Sequence, residues 1–527
     1  MNRFVRLLAG VVLGLVLLTG AGQAWAEVAF VFVAPTTPAG DLGAIVPSNV
    51  RGGKALPFRQ LGPGQDPRAD TVARALSASP ACRQVLTWWE QARRLAPTPC
   101  QKWIGAEGPI PVWVKPGGAG RHGPGMVSLI PIQVENPGGG RHEASQLLVL
   151  EDLALPDGTL VTVEEMTGAG LLVPMVCHEA CHGLMADLYR ERFLAFSVIG
   201  TSLGGAHDSP VETDPHLAFR EGFAEAGELV LARRFPREFY VTPGAGVRPA
   251  VQAFARTMAR HRVALAGRNR FIFTANGRVK DGQLKAGATD HATEGVIAAL
   301  LETLVNHANW PGRGEDHFPV LFRAMARQAP LTFFALVNAL LAEAPAQAET
   351  IRRILVEYTC YTIRSPEAAR QYERYYLSRK AFVQGKLGRD EFAKARAAWQ
   401  AWKEGQRRRI EAGAPVWEAA PEPFVVAARN GFALDLNDTD PERLAWHLEA
   451  FLPAAPPDQL RDRAAKLAAA VVARRQEIGV FTSLDPLRGV VPARLFSSLE
   501  AGRRRQELRL QEQIDDLVAR RRQAGRP

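Results

Sequence analysis

Apolar residues at Val173, Val176, Ala180, Leu184 and Leu188 recur every three or four positions across residues 171–192, the spacing of one buried face of an α-helix. Pro174 fits the first turn of that helix, where a missing N–H costs nothing. Residues 214–234, DPHLAFREGFAEAGELVLARR, predict a second helix: Asp214 caps it, Pro215 opens it, and Phe219, Phe223 and Leu229 mark a partly buried face. Helical periodicity returns over 82–100, over 290–307, and along 365–410, where Gly385 and Gly388 break helical hairpins rich in aromatic residues. Shorter β-type runs at 28–33, 110–114, 126–134, 146–150 and 160–163 are divided by Gly and Pro, with Pro156-Asp157-Gly158 as a turn. Residues 271–274 and 278–280 read as a hairpin. The expected fold class is α+β and predominantly helical: a small sheet, then the 171–192 helix and a helical region, then a small all-α C-terminal domain.

The 171–192 helix carries the chemistry. His178 and His182 are four apart, so their imidazoles lie about one turn apart on one face and can converge on one ion. With Glu179 they spell HExxH, in which the two His bind zinc and the Glu takes a proton from zinc-bound water. On the 214–234 helix, Glu221, Glu225 and Glu228 fall along one stripe and repel unless a cation faces them. A zinc ion does that with Glu221 as third ligand and Glu225, one turn on, accepting a hydrogen bond from a ligating His.

The pair His178-Glu179-x-x-His182 and Arg220-Glu221-Gly222-Phe223-Ala224-Glu225 resembles the gluzincin zinc peptidases, over residues 171–234. The resemblance implies zinc held by His178, His182 and Glu221, Glu179 as general base and Glu225 behind the ligands. It also implies a peptide or protein substrate, held along a sheet edge as in thermolysin-like enzymes. Arg220 stands where the family commonly has Asn, and the gap from His182 to Glu221 is longer than in thermolysin. A Gly-, Ser- and Asp-rich insertion at 200–213 fills that gap, with His207 and His216 as alternative ligands. The family uses a Tyr or His to stabilise the oxyanion, and His291, Tyr358 and Tyr361 are the candidates.

A second resemblance lies at 431–500, to the competence-type helix-hairpin-helix repeat. Leu436, Asn437, Pro441, Leu444, Val471, Arg474, Phe481, Thr482, Ser483, Leu484, Leu487, Pro492 and Leu499 carry it. DNA-binding members present backbone N–H groups from a Gly-containing hairpin, and none of residues 452–460 is Gly, which argues against DNA binding here. Residues 501–527 read as a charged helix with Leu510, Ile514 and Leu517 on one stripe.

At 527 residues the chain is too long for one core. The expected plan is a signal peptide (1–26), an α/β zinc-site region (27–235), a helical domain completing the cleft (236–412), a linker (413–423), the helix-hairpin-helix-like domain (424–500) and the charged helix (501–527). Arg3 and Arg6, an apolar run at 7–18 and Ala24-Trp25-Ala26 are what a cleaved signal peptide requires, so a periplasmic or extracellular location is expected. The apolar stretch 331–342 is too short to span a membrane and predicts a core helix. Export makes the five cysteines candidate disulfide partners. Cys82 and Cys100, which bracket one helix, are the expected pair, and Cys177, Cys181 and Cys360 are left without an assignment. The net charge of +10 is a mild bias that selects neither an anionic envelope nor nucleic acid. Together these features predict an exported zinc metallohydrolase, a peptidase. The competing prediction is a non-catalytic envelope, secretion or DNA-handling scaffold acting through the C-terminal domain.

Overall fold

The computed structural model describes residues 28–36, 55–95, 108–118, 122–155, 157–199, 209, 211–213, 215–267, 273–275, 278–280, 290–307, 310, 318–364, 366–414, 424–427, 433–437, 441–478, 481 and 483–524. The expected signal segment, Cys100, His207 and most of the 413–423 linker lie outside them.

Strands Phe30–Pro35 (β1), Leu56–Gln60 (β2), Ile110–Val114 (β3), Gly125–Glu135 (β4) and Arg141–Leu150 (β5) close into a barrel in the order β1-β2-β4-β5-β3. β1 pairs antiparallel with β2 and parallel with β3, and β4 pairs antiparallel with β5. Alternation sorts the side chains. Trp113 of β3 joins Val33, Phe58, Val127, Ile132, Val134 and Leu147 in one cluster. Ile110, Val112 and Val114 of the same strand join the main helical core instead, so β3 is buried along its whole length. β4 is interrupted by an irregularity between Ser128 and Ile132, where Leu129 adopts φ 61°. Only the part after it pairs with β2, so Gly125–Ser128 keeps one edge unpaired by any strand among the described residues.

Pro67–Ala78 (α1) and Pro80–Leu95 (α2) follow β2. Leu153–Ala154 (β6) and Leu160–Val161 (β7) make a small ribbon. The run expected as strand to 163 stops at Val161 and turns into helix Val163–Gly168 (α3), because Thr162 and Glu165 form a reciprocal capping box. Next come Leu172–Tyr189 (α4), Leu194–Ile199 (α5), Val211–Glu212 (β8) and Pro215–Arg234 (α6). α4 ends where Arg190 takes φ 58°. Part of the expected insertion is ordered sheet, since β8 pairs parallel with Phe273–Ala275 (β9), which pairs antiparallel with Arg278–Lys280 (β10). Pro236–Phe239 (α7) and Pro249–Gly267 (α8) precede β9, and Glu294–Val305 (α9) packs along α6. That approach is close: a Cβ on Gly222 would sit 2.7 Å from the Glu294 carbonyl oxygen.

Pro319–Gln328 (α10), Phe333–Glu343 (α11) and Ala348–Tyr358 (α12) complete the helical layer. α11 is a core helix, with Phe333, Phe334, Leu336, Val337, Ala339 and Leu340 buried. Among the described residues no single helix is long and apolar enough to cross a membrane. Pro366–Val383 (α13) and Arg389–Glu411 (α14) form one helical hairpin.

Phe424 to Leu499 contribute a separate hydrophobic core. Its elements are Val425–Ala427 (β11), Ala433–Asp435 (β12), Pro441–Glu449 (α15), Pro457–Ile478 (α16) and Ala493–Ala524 (α17). Leu436, Leu444, Val471, Phe481, Leu484, Leu487 and Leu499 of the repeat pattern all lie in it. The Asn437 side chain accepts from Phe481 N at 2.8 Å and donates to Phe481 O at 2.9 Å, stitching the two halves. The separate helix expected from residue 501 is the continuation of α17, which runs unbroken for 32 residues. α17 also touches α5 and β4.

Candidate metal centre

Nε2 of His178 and Nε2 of His182 both face Oε2 of Glu221, at 3.6 and 3.0 Å. The two rings are 5.0 Å apart between centroids and nearly perpendicular. These three side chains form a donor set whose atoms lie within 4.8 Å of one another. Zinc bound to N and O donors at about 2.0 Å has donor-to-donor spacings of ~3.3 Å in tetrahedral geometry, and the distances here bracket that value. Arg220 donates from Nε and Nη2 to Glu221 Oε1 at 3.0 and 2.7 Å, leaving Oε2 as the oxygen free to ligate. The side chains are 21% (His178), 12% (His182) and 5% (Glu221) exposed, so the histidines are partly open to solvent while the carboxylate is buried.

Charge balance explains how such a buried acid persists. Burial pushes the Glu221 pKa upward, but His182, Arg220 and the hydrogen bonds from both imidazoles hold it well below the usual carboxylate range. Burial also disfavours the His178 cation, yet Glu221 and Glu228 outweigh it and raise its pKa well above the ordinary value. The acids around the two imidazoles therefore favour positive charge at this position, and the three side chains could hold a metal ion.

Glu179 lies beside the set rather than in it. Its Oε2 accepts from Met126 N of β4 at 3.0 Å. A backbone donor thus positions the carboxylate, from the β4 edge that no strand among the described residues pairs with.

The carboxylate at the far nitrogen of His178 is Glu228, 3.6 Å from Nδ1, and not Glu225 as the sequence suggested. Helix geometry gives the reason. Seven residues bring the chain back to within about 20° of Glu221, whereas four leave it about 40° away. Glu225 instead accepts the Ser209 hydroxyl at 2.7 and 2.9 Å, and the Ser209 carbonyl accepts from Gly295 N, so Ser209 is tied to both α6 and α9. His182 Nδ1 is buried without a hydrogen-bond partner among the described residues.

Helices α4 and α6 meet closely at Gly227, where an added Cβ would stand 2.5 Å from Cys181 Sγ. Asp187, fully buried, fastens the other end of α4: Trp89 Nε1 and Arg93 Nε of α2 donate to Oδ2 at 2.6 and 2.8 Å, and Gln146 of β5 donates to Oδ1 at 3.0 Å. Burial alone would raise its pKa, and Arg93 and Arg190 overcome that and lower it. Cys82, expected to pair with Cys100, is buried with its thiol against that of Cys177.

The remaining candidates fall elsewhere. His216 is buried, with Nδ1 2.8 Å from the Leu331 carbonyl oxygen. His291 is buried with its ring 4.4 Å from Phe334. Tyr358 packs, partly buried, against the main core. Tyr361 is buried edge-on to Trp399 and Trp402, and burial, assisted by Glu357, pushes its pKa up to about 12. None of the four joins the three-residue donor set. The residues missed from sequence were Glu228, which the third position of the acidic stripe signalled, and the Met126 amide, which no side-chain pattern signals.

No family model, curated protein or solved structure matches this chain.

Proposed function

We infer that the chain is a zinc-dependent hydrolase that cleaves peptide bonds. The observation that carries this reading is the geometry of one acid beside three donors: His178, His182 and Glu221 converge, while Glu179 stands next to them on a backbone hydrogen bond. A structural zinc site needs four protein donors and no spare base, whereas a catalytic one keeps three and an open position. Two nitrogen donors and one carboxylate oxygen suit zinc.

Held by His178, His182 and Glu221, a zinc ion would supply Lewis acidity. Glu179 would serve as the general base that accepts a proton and returns it to the leaving amine. The Met126 amide holds the Glu179 carboxylate in place, and Glu228 orients His178. Arg220 holds Glu221 to a single donating oxygen. On the Gly125–Ser128 edge, which no strand among the described residues pairs with, an extended peptide would find the backbone groups other than Met126 N, which is given to Glu179. Residues 1–26 support an exported enzyme.

The test is metal analysis of the purified chain, followed by incubation with an unfolded protein and a peptide library with and without chelator. About one zinc per chain and chelator-sensitive cleavage are expected. Full zinc with no hydrolysis of any peptide, ester or amide pool would sink the reading and leave the scaffold alternative, in which the C-terminal domain carries the activity.

A further inference from the structure

The hairpin of α13 and α14 is built differently from the rest of the surface. Its aromatic residues stack between the two helices: Tyr375 stacks on Trp399 at 5.8 Å, and Phe382, which stays partly exposed, stacks on Phe392 at 4.6 Å. Trp399 and Trp402 carry the stack back to Tyr361 and the main core, so the base is anchored and the turn projects. At that turn Val383 is 76% exposed, Phe382 36%, and Leu377, further up α13, 50%. Exposed apolar side chains of that size grouped at one tip mark a contact surface. Seven lysines and arginines lie between Arg374 and Arg396 against only Asp390 and Glu391, a surplus of five positive charges in a chain of net +10. Among the described residues none of the seven makes an ion pair within 4 Å, whereas Arg370 and Arg407, nearer the base, are paired with Glu367 and Glu404.

We propose that the tip of the α13–α14 hairpin docks this protein on an anionic phospholipid surface, with Phe382 and Val383 entering the headgroup boundary and Lys380, Lys386 and Arg389 meeting lipid phosphates. The apolar tip set among unpaired cations is what an interfacial anchor needs, since each component alone binds weakly. A nucleic-acid groove fits less well, because it exposes its aromatic rings for base stacking, and here Tyr375, Phe392 and Trp399 are stacked on one another. The proposal goes beyond the hydrolase reading and does not depend on it.

The experiment is flotation of the full chain with phosphatidylcholine vesicles, with and without about 30 mol% phosphatidylglycerol, beside a duplex DNA binding assay. Anionic lipid should raise the bound fraction at least about tenfold, and raising salt from about 0.1 M to about 0.5 M should reverse most of that gain. Two variants separate the components: Phe382→Ser with Val383→Ser, and Lys380→Glu with Lys386→Glu and Arg389→Glu. Each should reduce binding to anionic vesicles about tenfold or more and leave zinc content unchanged. Circular dichroism of both variants checks that the helical fold is kept. Equal binding to neutral and anionic vesicles, absence of binding to either, or undiminished binding by either variant overturns the proposal. So does tight DNA binding that the charge reversal abolishes while vesicle binding persists.

Discussion

The crossing of α4 with α6 and the core around α15 and α16 both rest on helices whose sequence patterns were recognisable, yet they bury acidic charge to different extents. Within eight residues α6 buries Glu221, Glu225 and Glu228. The C-terminal core is made of Leu, Val, Phe and Ala, and among the described residues its region buries a single carboxylate, Asp435, which accepts from Phe424 N and Asn437 N, beside Asn437, held by two hydrogen bonds to Phe481. A buried carboxylate costs several kcal/mol even after relaxation, so three in two turns of helix weaken the fold unless cations repay them. Asn437 is neutral and satisfied, and its burial costs little. The first region sacrifices stability for a concentrated charge that can hold a metal, and the second spends its burial on architecture. If that contrast is right, substitutions of similar size should damage chemistry in one region and only stability in the other.

The largest effects belong to the metal region. Glu221→Ala removes a donor and should abolish zinc retention and hydrolysis together. Full zinc occupancy in that variant would move attention to a different ligand. Glu179→Gln keeps all three donors and the fold but removes the base, so hydrolysis should fall at least about a hundredfold while zinc content stays at the wild-type level. Unchanged cleavage by this variant ends the peptidase reading.

Next in size is Asn437→Ala, which strands the Phe481 N–H and C=O in a buried position and should cost about 2–4 kcal/mol of local stability. Hydrogen exchange measured by mass spectrometry should show lost protection across 441–499. Zinc content and hydrolysis should not change, and a loss of either would show that the two regions are not separable in the way the contrast requires.

Two glycines test the same division through packing. Gly227→Ala drives a Cβ against Cys181 Sγ where α4 and α6 meet, and Gly502→Ala drives one to 2.6 Å from the Ala427 carbonyl oxygen where α17 crosses β11. Each should cost about 1–3 kcal/mol of stability. Zinc affinity should drop only for Gly227→Ala, because α4 and α6 carry His182 and Glu221. Equal loss of zinc in both variants would count against a local effect.

The difference between the regions also shows what a sequence makes legible. The 3.6-residue period placed α4 and α6 to within a few residues, and the short apolar run Ile110–Val114 was read as a strand to the residue. Helix spacing placed His178 and His182 on one face, while Glu221 was reached from its acidic stripe and the family resemblance, and its approach to the two histidines depends on how α4 packs on α6. Barrel closure did not follow. β2 is LPFRQ, too short and mixed to announce itself, and its parallel partner β4 lies some seventy residues on. Helix α3 was present in the sequence as the capping box Thr162 to Glu165, and a β-branched run concealed it. The contact of Cys82 with Cys177 depends on how α2 packs on α4, which no spacing along the chain encodes.

The finest test asks which acid of the stripe serves the ligands. Sequence pointed to Glu225, one turn beyond Glu221, but in the structure Glu228 faces His178 Nδ1 and Glu225 holds the Ser209 hydroxyl. A carboxylate at the far nitrogen of a ligating imidazole fixes its tautomer and raises its basicity, and losing that partner typically weakens metal binding tenfold or more. Glu228→Gln preserves the side-chain shape and an acceptor oxygen but removes the charge, so the zinc dissociation constant should rise about tenfold. Glu225→Gln still accepts from Ser209 and should shift it by less than about threefold, since its charge does not act on a ligand nitrogen directly. Measured by competition with a zinc chelator, the reverse order would return the orienting role to Glu225 and overturn the pairing of Glu228 with His178.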